Sequence, residues 1–281
     1  MTGGGLADER VRSERKDRVQ AEKKMSIPGQ LCSDRCFKWT IILGVVLVLG
    51  GSVGSQLLMQ VGGSPRHEPL DFSEQLPEAL KGVAQFPDGL PPFISSGGLY
   101  YPDKAVFDLG LGLGGLVFAF LAIELFLRTT SQLRGAGASI VRHLLNVGQL
   151  LAALLVGGSL VMITRHPFNV SFLTHLFYAN NIFYGSLAWG GLMTLARGGL
   201  DRQLACCSLK LNLYRWILLG VGVVSYLLMT TLAAQTSFNG AAFFEWLLTI
   251  STEMLTLSLL PILVVAAESA AEPPVEGLPA G

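Results

Sequence analysis

The sequence predicts an all-α fold: a polytopic membrane protein, built as a six-helix transmembrane bundle with one long lumenal or extracellular loop. Three observations lead there. Of 281 residues, 51% are hydrophobic and only 14% charged, whereas a soluble domain carries about a quarter charged residues. Six apolar segments each reach about 20 residues or more, the length a helix needs to cross the hydrocarbon. Lys and Arg also switch sides from one connection to the next, as the positive-inside rule requires.

Residues 1–37 mix Arg10, Arg12, Arg15, Lys16 and Arg18 with Asp8, Glu9, Glu14 and Asp17. Such a stretch cannot bury a core, so a disordered, charged cytosolic N-terminus is expected. The apolar run begins too late for a cleaved signal peptide. The first span, about 39–61, is therefore expected to be an uncleaved anchor. Residues 62–104 form the long loop, with Pro65, Pro69, Pro77, Pro87, Pro91, Pro92 and Pro102. It is mildly acidic, and a helical turn or two is expected over 76–83. Its last part is rich in turn residues. Pro91 and Pro92 fix φ, and Gly97 and Gly98 admit left-handed geometry. Tyr100 and Tyr101 stand where an aromatic belt is expected.

The second span, about 105–127, carries Asp108 and Glu124 in an otherwise apolar run. Further spans are expected at about 143–164, 172–196, 214–235 and 242–267. Short links make neighbours antiparallel, and Pro261 kinks the last helix near its end. The membrane domain thus covers 38–267. Residues 268–281, with Pro273, Pro274, Pro279, Glu268, Glu272 and Glu276, read as a disordered cytosolic tail.

Orientation follows from counting basic residues. Nine precede the first span, three lie in the 128–142 connection and four in 197–215, sixteen on one side. Arg66, Lys81, Lys104 and Arg165 make four on the other. Both termini are expected in the cytosol.

All four cysteines, Cys32, Cys36, Cys206 and Cys207, then face a reducing compartment, so no structural disulfide is expected. Their juxtamembrane placement makes them candidates for S-palmitoylation, against the plain alternative of free thiols. Cys32 and Cys36 have no partner pair at zinc spacing, so no metal site is expected. Gly110 and Gly114 lie one turn apart on one face, which suits close helix packing within the chain or a dimer face. Asn169-Val170-Ser171 is a glycosylation sequon in a connection too short to stand clear of the bilayer.

Polar residues inside spans are costly and therefore informative. Glu124, His143 and Asn146 gather at the cytosolic side, where a Glu124 pairing with Asn146 or His143 is geometrically open. His175 and Asn180 lie in the outer half of the fourth span. Glu245 opens the last span and Glu253 lies two turns deeper, with Asn180, Asn181 or His175 as expected partners. Each is read either as packing glue or as a headgroup or ion site. His143 and His175 fall at opposite faces, about 30 Å apart, so they cannot share a haem iron. No Gly-x-Ser-x-Gly elbow is present, and Asp108 alone cannot supply an aspartyl dyad. No cofactor or nucleic-acid partner is expected, only membrane lipids and protein partners that the sequence does not identify.

Pro92, Ile94, Ser95 and Gly98, then Pro102, then Phe107 at a helix start, form a spaced pattern. Leu144-Leu145-Asn146-Val147 and Phe244-Glu245-Trp246 open the third and sixth spans. In this order the chain resembles the DRAM/Frag family of six-pass membrane proteins over roughly residues 38–267. That family includes damage-regulated autophagy modulators, regulators of a plasma-membrane phosphoinositide kinase and a factor that remodels GPI-anchor lipids. The resemblance implies a non-enzymatic membrane regulator or scaffold in lipid homeostasis, trafficking or autophagy. It leaves open a role in GPI-anchor remodelling and, more weakly, a channel or transporter. Golgi, endolysosome and plasma membrane are all compatible with it.

Overall fold

The computed structural model describes residues 30–61, 70–71, 85–86, 92–206, 208–235 and 237–263. The N-terminal stretch before them, most of the long loop, Cys207 and the tail 268–281 lie outside the described residues, as does the helical turn expected over 76–83. Six long helices run in chain order: α1 (Asp34–Val61), α2 (Asp103–Gly135), α3 (Ile140–Ile163), α4 (Phe172–Arg197), α5 (Leu211–Ala234) and α6 (Phe238–Leu257). Two short hairpins accompany them, Leu70–Asp71 with Gln85–Phe86 (β1, β2) and Ala205–Cys206 with Leu209–Lys210 (β3, β4). The class is all-α and polytopic.

Among the described residues five helices, all but α4, are long and apolar enough to cross a membrane. At 26 residues, α4 is about 39 Å long at 1.5 Å per residue. Its polar residues lower its mean hydropathy, and several turn inward: His175, Ser186, Thr194 and Arg197 are all buried. Consecutive helices pack against each other, and α1 returns to touch α6, which closes the bundle.

Glycines set the closest approaches. A Cβ on Gly51 of α1 would stand 2.6 Å from the Cα of Gly110 on α2. One on Gly115 of α2 would stand 2.5 Å from the carbonyl oxygen of Gly157 on α3. So α2 uses Gly110 on one side and Gly115 on the other, and Gly112 between them meets nothing within 4 Å. Gly114 faces α1 as well, at Val48. α2 ends where Gly137 takes φ +59. Gly137 N–H donates to the Arg134 carbonyl and Ala138 N–H to Leu133. This is the Schellman pattern, which absorbs the end carbonyls and turns the chain into α3.

At its far end α6 breaks at Ser258. Pro261 has no N–H to donate, and Ile262 N–H bonds Leu259 instead of Ser258. The freed Ser258 carbonyl accepts from Arg215 Nη2 at 3.1 Å. The kink expected from Pro261 is thus satisfied by a side chain from α5.

Candidate functional site

The end of the long loop does not lie on the surface. Residues Ile94–Gly98 form a 3₁₀ turn, and all five are buried at the end of the bundle where α1 finishes and α6 begins. The backbone polar groups of this turn need partners, because buried amides and carbonyls left unpaired are costly. Two helices supply them, and a third bonds the Ser95 side chain. From α1, Gln56 Nε2 donates to the carbonyls of Phe93 and Ile94, at 2.9 and 3.0 Å. From α6, the Glu245 carboxylate accepts the Ile94 N–H at 2.8 Å, and Trp246 Nε1 donates to the Pro92 carbonyl at 2.9 Å. From α4, His175 Nε2 bonds Ser95 Oγ at 2.7 Å while its Nδ1 faces the His166 carbonyl at 2.8 Å. The structure thereby joins Pro92, Ile94 and Ser95 to Glu245 and His175, residues far apart in sequence.

Gly97 and Gly98, expected for left-handed geometry, have no positive φ. Their requirement is space. A Cβ on Gly98 would stand 2.7 Å from the ring of buried Phe107, and one on Gly97 would collide with Ser55. Pro102 follows a cis Tyr101–Pro102 bond and caps α2. Replacing Glu245 by Ala is expected to cost about 1–3 kcal/mol, because the Ile94 N–H is left buried and unpaired. Glu245→Gln keeps an acceptor and is expected to melt near the wild-type temperature. Equal losses for both variants would show that charge, not the acceptor, holds the turn.

Outside this clasp, a groove of about 560 Å³ opens between α1 and α6. Val53, Gln56, Leu57, Gln60, Pro92, Phe243 and Trp246 line it. Val53, Leu57 and Phe243 are exposed, so the groove faces the side of the bundle that lipid covers. Two clasp residues, Pro92 and Trp246, form its inner wall. Gln56 Oε1 is buried without a hydrogen-bond partner.

The opposite end of the bundle corrects several expectations. Glu124 does not pair with Asn146 or His143. Its Oε1 accepts from Arg128 Nε at 2.7 Å, one helical turn away, and its Oε2 accepts the Leu31 N–H at 2.9 Å. Arg128 also bonds Asp34 and the Cys32 carbonyl, and its guanidinium lies over the Phe37 ring. Asn146 instead donates to Phe126 and Thr130, and accepts from Gln149. His143 lies apart, in a surface pocket with Thr130 and Arg134. The Leu144 and Val147 side chains of the third-span motif are exposed. Asn180 accepts from Tyr226 on α5 at 3.3 Å, and His175 is engaged by the clasp, so neither pairs with Glu253.

Sequence reasoning missed a second buried charge network, treating Arg197 and Arg215 only as loop charges. Asp201 bonds both, at 2.8 Å to Arg197 Nη2 and 2.6 Å to Arg215 Nη1, and all three side chains are nearly inaccessible. Thr129, Gln132 and Ser258 satisfy further guanidinium N–H groups. Burial acts to raise the Asp201 carboxyl, but Arg197 and Arg215 outweigh it and hold the group below its ordinary value of 3.8. The available signal was spacing: Arg197/Asp201 and Glu124/Arg128 each lie at i, i+4.

Among the cysteines, Cys36 is exposed and Cys206 half-buried. Burial, then the hydrogen bond with Cys36 and the Glu124 charge, push the Cys32 thiol up to about 12. It is therefore a poor nucleophile at neutral pH. Among the described residues no group of three or more His, Cys, Asp or Glu is placed to hold a metal ion.

Residues 73–260 match the family described as Frag1/DRAM/Sfk1/Cwh43P N-terminal domain. The match takes in the clasped loop end, its partners His175, Glu245 and Trp246, and α2 to α6, and leaves α1 with Gln56 outside. No curated protein and no solved structure matches the chain.

Proposed function

Because the chain belongs to the Frag1/DRAM/Sfk1/Cwh43P N-terminal domain family, we propose that it acts as a multi-pass membrane regulator or scaffold without catalysis of its own. Its field is membrane lipid homeostasis, trafficking or autophagy. The observation that carries this reading is the groove between α1 and α6. Its size suits part of a lipid, since small-molecule sites run to about 300–1,000 Å³. Its wall is apolar, it opens toward the bilayer, and its floor is the clasped loop. A lipid seated there touches Trp246 and Pro92, whose hydrogen bond ties α6 to the loop. Occupancy is thus relayed to the surface that a partner protein meets.

The distribution of basic residues supports cytosolic termini, with the clasp on the lumenal or extracellular side of an endomembrane or the plasma membrane. A role in GPI-anchor remodelling would use the same groove for a different lipid.

The test uses the full chain in cells, with a photoactivatable phospholipid and epitope tags at both termini. Adducts are expected on Leu57 and Phe243, and Val53→Trp, which fills the groove, is expected to lose them and to fail in rescuing a knockout at matched expression. Full rescue by Val53→Trp would overturn the lipid reading. Protease digestion of either tag in sealed cells would reverse the orientation. Altered surface levels of GPI-anchored proteins in the knockout would favour the remodelling role.

A further inference from the structure

Glu253 lies eight residues beyond Glu245 on α6, about 12 Å along the axis. Its carboxyl has no hydrogen-bond or ion-pair partner among the described residues. It borders an interior cavity of about 40 Å³ together with Ser186, Thr249, Thr252 and Thr256. The hydroxyls of Thr252 and Thr256 donate to the carbonyls of Thr249 and Thr252, which leaves their oxygen lone pairs open. The hydroxyls of Ser186 and Thr249 are unpartnered among the described residues. The one N–H donor on the wall, Trp189 Nε1, is already taken by Gln149 at 3.0 Å. The cavity therefore presents hydroxyl oxygens, of which those of Ser186 and Thr249 can also donate, and one carboxyl.

Size and charge narrow the occupant. A water molecule needs about 10–15 Å³ of such space, so the cavity of about 40 Å³ admits roughly three or four atoms of that kind and excludes a lipid headgroup. A bare carboxylate in a membrane interior is costly and calls for one compensating positive charge. A divalent ion would replace one uncompensated charge with another. We propose that Glu253, with Ser186 and Thr249, forms an occluded site for a single monovalent cation, either an alkali ion or a proton.

A second cavity, of about 50 Å³, lies toward the loop end and shares Thr249 and Phe183 as walls with the first. It reaches Ser95 and Glu245 in the clasp. None of the residues facing Glu253 from α1, α2, α3 and α4 titrates. On α6 the nearest titratable group toward the loop is Glu245. In the other direction α5 brings Arg215 to Ser258. The site stands independently of the lipid groove.

The experiment melts the purified full chain in lipid nanodiscs, in choline, sodium or potassium chloride at constant ionic strength, at about pH 5 and about pH 8. For an alkali ion, the wild type is expected to melt about 2–4 °C higher once the ion exceeds its dissociation constant roughly fivefold. For a proton, the melting temperature is expected to be higher at the acid pH and indifferent to the salt. Either dependence should vanish in Glu253→Gln. Ser186→Ala keeps the carboxyl and removes one oxygen, so it should shrink the shift while folding normally. A wild type indifferent to both salt and pH, or the same shifts in Glu253→Gln, would overturn the proposal.

Discussion

Replacing Asp201 by Ala is expected to destabilise the bundle by about 3–5 kcal/mol, the range for removing one partner of a buried ion pair. Asp201 is the single carboxylate between Arg197 and Arg215, and the three side chains are 1%, 2% and 0% exposed. Without it two guanidinium groups remain buried side by side. Serine, threonine and glutamine oxygens orient them but carry no charge. The network also joins α4, α5 and the kinked end of α6, so its loss frees three helices together. Asp201→Asn keeps the shape and loses the charge, and should fall nearly as far. Thermal melting of detergent-purified protein reads the effect, and a loss below about 1 kcal/mol would mean water reaches the pair. The pH dependence has a definite sign. The folded Asp201 value is depressed below 3.8, so its contribution is complete above that value and fades as pH falls through the folded one. Mildly acidic compartments leave this network intact.

Gly110→Ala is the second large effect. The added methyl would stand 2.8 Å from the Leu47 carbonyl oxygen and collide with the Gly51 backbone. Backbone cannot rotate aside as a side chain can, so α1 and α2 must separate. Overpacking of this kind costs about 1–3 kcal/mol and occasionally more, and Gly110→Leu should exceed it. Gly112→Ala, two residues away, meets open space and should stabilise the helix by about 1 kcal/mol, the propensity difference between Ala and Gly. Opposite signs in melting temperature are the expected result. If both variants melt alike, the contact between α1 and α2 is not tight in the folded protein.

Charge placement shows where sequence reasoning stops. Glu124 and Arg128 stand one turn apart, and so do Arg197 and Asp201. Yet the same spacing describes a solvent-exposed pair such as those on any surface helix. Only burial distinguishes them, and burial depends on which helices lie alongside. Asn146 illustrates the same limit. Spacing alone leaves it open as a partner for Glu124, but its amide is spent on Phe126 and Thr130, because α3 presents it to the last turns of α2. Gly97 and Gly98 were read from backbone freedom, and the structure assigns them to close contact with Ser55 and Phe107.

What the sequence by itself determined is the membrane class, the all-α architecture and the family resemblance. Crossing a bilayer is a local, additive property: each run of apolar residues is judged against a fixed hydrocarbon thickness, and no distant residue enters the sum. What only the tertiary structure decided is partnership. The loop residues Pro92, Ile94 and Ser95 meet Gln56, His175, Glu245 and Trp246, up to 154 positions away in the chain. Such pairings are settled by where six helices can pack at once and by the cost of leaving any buried polar group unsatisfied, a condition that no single segment carries.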